Sequence, residues 1–271
     1  MSKNIRLTLV CLLTVITTAG GFAMLRAPQG QPGNVEQCYQ QGLKAMEQGR
    51  YLEALPHLLV YIDESNKPTD KEGHRKMATA LLKTSIVSYY FGDHKAAISY
   101  NNMAMEHARL AGDRIQEAKA VCTQFAPLFR MGRLDEAERY NRRYYNMHVD
   151  SLTAFAYLVN QGHLEYERGN IENAERYFKA TIDTIARYNF PQDMAVYPYS
   201  GLFAIYEGKG DIAKAEEYGQ EYYRLIQKAP AEKRPTLLHD CYRGMSTSTQ
   251  RPGTSTACRI TRTFISPCRT R

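Results

Sequence analysis

Seven histidines and six cysteines are the side chains of this 271-residue chain best suited to hold a metal or attack a substrate. The histidines are His57, His74, His94, His107, His148, His163 and His239; no two stand at i, i+4 and no H-E-x-x-H occurs, so they read as surface or helix-face residues rather than ligands. Cys11, Cys38, Cys122, Cys241, Cys258 and Cys268 form no C-x-x-C and no Cys/His pair at zinc-ligand spacing. The acidic pairs Asp135-Glu136 and Glu216-Glu217 are expected in the first turns of helices, where they favour the positive end of the helix dipole without acid–base work. Gly208-Lys209-Gly210 follows no strand, so neither a dinucleotide fingerprint nor a phosphate loop has its context. No G-x-S-x-G elbow occurs. The expectation is a chain that is not an enzyme, with no catalytic residue, no cofactor and no metal.

Those residues hang on a repeating frame. Gly49, Gly92, Gly132, Gly169 and Gly210 are each followed five residues later by an alanine, namely Ala54, Ala97, Ala137, Ala174 and Ala215. The fullest copy, Gly162 to Phe178, carries a first glycine, a second seven residues on, the alanine, and an aromatic residue four further. A helix, a tight turn and a second helix satisfy this spacing, with small residues where two backbones approach. Apolar residues at three- and four-residue spacing extend the helical period from Glu36 to about Asp240. The expected pairs are 37–48 with 52–63, 71–91 with 95–111, 115–131 with 134–147, the Gly162 copy with Ala180 closing its second helix, and 197–207 with 212–227. Pro56 is expected in the first turn of its helix, where a missing amide is tolerated. In such an array Cys38 and Cys122 sit about two hairpins apart, too far to bridge, so both are expected to be buried and inert.

At these residues the chain resembles the tetratricopeptide repeat (TPR) family. Gly42 and Gly162 match its first-helix glycine, the five turn glycines and five alanines match theirs, and Phe178 matches its second-helix aromatic. Two departures stand out: the chain has no tryptophan, and its turns are spaced 43, 40, 37 and 41 residues apart against a usual period of about 34. Long units of this kind are similar to those of bacterial envelope and regulatory proteins. The resemblance implies an all-α, TPR-like α-solenoid of about five helical hairpins stacked as a right-handed superhelix, with first-helix side chains lining a concave surface. Counting back from each turn glycine places Tyr39, Met46, Tyr89, Arg130, His163, Tyr166, Tyr197, Ser200 and Glu207 near that surface. The mixture is aromatic and polar with little net charge, which suits a peptide or a partner helix. Thirteen of the 20 tyrosines fall between Tyr140 and Tyr223, and most are expected to fill hairpin contacts.

The formal net charge of +7 belongs to the chain ends. Residues 1–33 carry Lys3, Arg6 and Arg26 with no acid, residues 241–271 carry six arginines with no acid, and the body keeps 26 basic against 28 acidic residues. That balance gives no electrostatic reason to expect nucleic acid. Residues 1–25 have a short positive start and an uncharged apolar stretch from Leu7 to Leu25, the layout of an export signal or of an uncleaved membrane anchor. Residues 26–35 read as a linker. The tail, 241–271, abandons the helical pattern and reads as irregular, either a basic disordered segment or the product of a frameshift or truncation. The expected function is a non-catalytic protein-binding scaffold of the bacterial envelope, in the periplasm or anchored at the inner membrane. The alternative is the extracytoplasmic sensing part of a truncated membrane-bound signalling or transcription regulator.

Overall fold

A computed structural model describes residues 35–229 apart from Asn66. The expected leader 1–25, the linker up to residue 34, the last repeat residues 230–240 and the tail 241–271 lie outside the described residues, as do His239 and four of the six cysteines. Five helical pairs follow one another: α1 (Val35–Glu47) with α2 (Tyr51–Glu64), and α3 (Lys71–Tyr90) with α4 (His94–Ala111). In the third pair, α5 (Arg114–Thr123) and α6 (Phe125–Arg130) share the first arm and α7 (Leu134–Met147) is the second. The fourth joins α8 (Leu152–Glu167) to α9 (Ile171–Arg187); a 3-10 turn (Gln192–Ala195) then leads into α10 (Val196–Lys209) and α11 (Ile212–Lys228). No strand occurs among the described residues, and none of their helices is long and apolar enough to cross a membrane.

The turn glycines do what their spacing predicts. All five adopt left-handed backbone, with φ between 69° and 82°, a conformation that is costly for a residue with a β-carbon. In the fourth pair, Asn170 N–H donates to the Glu165 carbonyl at 2.8 Å and Gly169 N–H to the Tyr166 carbonyl at 3.0 Å. The same two bonds, reaching five and three residues back, close the other four turns. They satisfy carbonyls that a helix end otherwise leaves open. Two of the second helices then start on aspartate: Asp93 accepts from Ala96 N–H and Asp211 from Lys214 N–H, at 3.0 and 3.2 Å.

The alanines are the crossing points. Ala54, Ala97, Ala137 and Ala174 are fully buried and Ala215 is 1% exposed. Four residues beyond them stand Leu58, Asn101, Asn141, Phe178 and Gly219, and twelve before them stand Gly42, Ser85, Phe125, Gly162 and Phe203. Size trades across these positions. A β-carbon on Gly42 would come within 2.8 Å of Leu58, and one on Gly162 within 2.6 Å of the Phe178 ring. In the fifth pair the large and small residues change places, with Phe203 on the first helix and Gly219 on the second, both buried. Phe178 is also gripped from the next pair, since a β-carbon on Gly201 would lie 2.4 Å from it.

Several details differ from expectation. The arm expected as one helix over 115–131 breaks at Gln124, because Pro127 has no N–H for the Thr123 carbonyl. Pro56 lies inside α2, which starts one residue earlier than expected, at Tyr51. Ala180 is half-buried; Thr181 and Ile185 hold that contact. Glu216 and Glu217 fall in the second turn of α11, after the Asp211 cap, because the helix starts at Ile212. A further left-handed glycine, Gly112, joins α4 to α5, and His148 and Asn189 take that conformation before α8 and after α9.

First helices form the tighter layer. α1 touches α3, α3 touches α5, and α8 touches α10, whereas no two second helices are in comparable contact. At the step from the third pair to the fourth the contact passes instead from α7 to α8. The core has two main bodies, one in pairs one to three and one in pairs four and five, with Phe125, Leu128, Ala137 and Leu164 between them. That joint also carries polar ties: Arg168 reaches Glu138 at 2.7 Å and Asp135 at 3.0 Å.

Candidate functional site

All nine residues expected near the concave surface fall on first helices, spread from α1 to α10 rather than gathered in one pocket. Tyr39, on α1, is core: it is 6% exposed, packs on Tyr61 with ring centroids 4.7 Å apart, and carries Lys76 over its face. Burial pushes the Tyr61 hydroxyl up to about 12, so both rings are neutral packing units. Met46 is half-buried against the same core. Tyr89 joins an aromatic group at the glycine-turn edge, where Tyr90 stacks on Tyr51 at 5.0 Å and His94 lies 5.6 Å from Tyr89.

Arg130 and His163 come together across the third and fourth pairs. The His163 ring meets the edges of Phe178 and Phe129 at 5.1 and 6.2 Å. Burial, then the nearby Arg130 charge, push its pKa down to about 4, so the imidazole is neutral near pH 7. Tyr166 is half-buried on the second core, and Tyr197 lies edge-on to Phe155 at 6.5 Å. Ser200 is buried and donates its hydroxyl to the Tyr197 carbonyl at 2.8 Å, one turn back. Glu207 is half-buried; burial raises its carboxyl pKa, and its Oε1 has no hydrogen-bond partner among the described residues. Half-exposed Tyr89, Arg130, His163, Tyr166, Tyr197 and Glu207 leave the inner face aromatic with a few polar groups, whereas Tyr39 and Ser200 are spent on packing.

Other polar side chains stand out only in the fold. In the second and third pairs the position held elsewhere by Leu58 and Phe178 is an amide. Asn141 donates to the Tyr157 carbonyl at 3.1 Å and accepts from Asn160 at 2.9 Å. Asn101 is fully buried, and neither its Oδ1 nor its Nδ2 is bonded among the described residues. His74 and His107 meet across α3 and α4 with their Nδ1 atoms 2.9 Å apart and ring centroids 5.1 Å apart. Their 33-residue separation hid them from any short spacing rule. Among the described residues no group of three or more His, Cys, Asp or Glu is placed to hold a metal ion.

Cys38 and Cys122 are free. Burial raises both thiols, Cys122 to about 12, which suppresses the thiolate that reacts. An open cavity of about 430 Å³ lies beside Pro191, Arg224, Leu225 and Lys228; none of the nine residues lines it, and it borders the end of the described chain.

No family model and no curated protein matches the chain. Among solved structures, the chain is similar to the Rap protein complexed with competence and sporulation factor, at a TM-score of 0.58 and 16% identity, over 86% of this chain and 74% of that one. At that identity the likeness shows the fold: a TPR-like helical repeat.

Proposed function

We propose that this protein is a non-catalytic scaffold that binds a peptide or a partner helix on the inner layer of first helices. One observation carries the proposal: five hairpins closed by the same hydrogen-bonded glycine turn hold half-buried aromatic and polar side chains on their first helices. A surface fixed in this way loses little conformational freedom when a partner docks. Rings such as Tyr89, Tyr166 and Tyr197 offer broad apolar area, and Arg130 and Glu207 supply charges of opposite sign to orient the ligand. The structural neighbour Rap was solved with competence and sporulation factor, which supports a binding role for this architecture. The apolar N-terminal stretch supports export, to the periplasm or to an inner-membrane anchor. That leader, with the change in composition after Asp240, equally supports the sensing portion of a membrane-bound regulator.

The test is capture by the immobilised full chain from envelope extracts, run beside Tyr166→Ala and Arg130→Glu on the inner layer and Arg176→Glu on the exposed face of α9. A partner held by the wild type and by Arg176→Glu, and lost in the two inner-layer variants, is the expected result. Equal capture by all four overturns the assignment of the surface.

A further inference from the structure

His74 and His107 use none of the binding surface above, yet they are the only two histidines that the described structure brings into direct contact through their ring nitrogens. We propose that they form a two-imidazole binding site for a divalent transition metal, copper(II) or nickel(II) first, at the open end of the second hairpin. The site is independent of the proposed partner surface.

Imidazole nitrogens bind such metals at about 2.0–2.1 Å, so two of them at right angles on one ion stand about 2.9 Å apart. The Nδ1 atoms of His74 and His107 are 2.9 Å apart. Square-planar and octahedral ions ask for that right angle, while a tetrahedral zinc site would open the pair by about 0.4 Å. Both rings are half-buried, fixed by their helices and still reachable from solvent, so water can fill the remaining coordination positions.

His74 lies in the first turn of α3 and His107 just before the last turn of α4. The far end of this hairpin is closed by Gly92, and nothing covalent holds the near end. An ion shared by the two rings would tie the start of one helix to the finish of the other. In the metal-free pair one Nδ1–H donates to the other Nδ1; on binding, that proton moves to the Nε2 of its own ring, both Nδ1 lone pairs face the ion, and no net proton is released. The Glu106 carboxylate, next to His107 in the chain, acts on that ring and favours positive charge there.

The experiment titrates the full chain with nickel chloride at pH 8, where free imidazole is neutral, and follows binding by calorimetry and thermal unfolding by circular dichroism. The wild type should bind one ion and melt at a higher temperature, reversibly with EDTA. His74→Gln and His107→Gln should each weaken binding by at least the ~10-fold that disturbing even an outer-shell partner can cost. Copper(II) on the wild type gives a second readout that no variant's folding affects: its paramagnetic resonance should show two coordinated nitrogens. A single-nitrogen pattern overturns the proposal, as does nickel binding of equal strength in wild type and both variants, or none in the wild type.

Discussion

Gly162→Ala isolates the close approach on which the fourth hairpin depends. An ideal β-carbon at Gly162 would lie 2.6 Å from Cε1 and 2.7 Å from Cδ1 of Phe178, whereas carbon atoms settle at about 3.5–4.0 Å. The ring would have to move by roughly 1 Å. It has nowhere to go, because its opposite edge abuts Gly201 on α10 at a distance that also excludes a β-carbon. Overpacking of this kind costs about 1–3 kcal/mol, and the gain in helix propensity from Gly to Ala returns at most ~1 kcal/mol. The net expectation is a loss of about 1–2 kcal/mol, or some 2–8 °C in Tm for a chain of this length. Gly208→Ala supplies the control, because Gly208 is also helical but has nothing within 4 Å of its would-be β-carbon. The same substitution there should leave stability unchanged or raise it by up to ~1 kcal/mol. Urea unfolding of both variants, followed by circular dichroism, measures the difference. If Gly162→Ala proves as stable as the wild type, the gripped ring is not what joins the fourth and fifth pairs.

Three further outcomes follow from the same contacts. Gly169→Ala should destabilise by about 1–2 kcal/mol through its φ of 82° alone, with no atom within 4 Å to clash; an unchanged urea midpoint would mean the turn relaxes without strain. Asn101→Leu should raise the urea midpoint by an equivalent of about 1 kcal/mol, because it removes a buried amide with no partner, while Asn141→Leu, which breaks bonds to Tyr157 and Asn160, should lower it; equal effects would show that Asn101 has a partner after all. Glu175 is opposed by burial, but hydrogen bonds from Lys179, Lys209 and Tyr206 outweigh it and hold its pKa at about 2, below the ~4.3 of an unfolded glutamate. A depressed carboxylate pKa adds stability above the unfolded value and loses it as pH falls through the folded one. Glu175→Gln should therefore cost about 1 kcal/mol at pH 7 after allowing for the exposed lysines, and the gap should close between about pH 4.3 and 2; a gap independent of pH would remove the carboxylate from the account.

Local geometry made the frame legible in the sequence. A left-handed turn and a backbone crossing each demand one residue type at one offset, so Gly169 and Ala174 announce themselves without knowledge of the partner helix. What joins one hairpin to the next was harder to see. Phe178 was visible as an aromatic, but the exchange of Phe203 and Gly219 becomes meaningful only when the two helices face each other. The break at Gln124 was signalled by Pro127, three residues on. His74 and His107 meet because two long antiparallel helices return to the same level, a fact set by total length rather than by spacing. The candidate surface was half legible: helical counting put all nine residues on first helices, but not which would be consumed by packing. Tyr39 was consumed by Tyr61 of its own hairpin and by Lys76 of the next, and Ser200 by a bond to its own helix, contacts that a count from the turn glycine does not resolve.

Phe178 fits only because Gly201 follows it in the next hairpin, and Asn141 is satisfied only because Asn160 occupies that same register one unit earlier. The third and fourth hairpins thus each carry a lock cut for their successor. Exchange of the third and fourth units would set Asn141 against bare Gly201, and tandem duplication of the fourth would set the Phe178 ring against the Asn160 amide. Copying the fourth unit in place therefore requires its mating residues to change together, and the order of the third, fourth and fifth units is part of the molecule's identity.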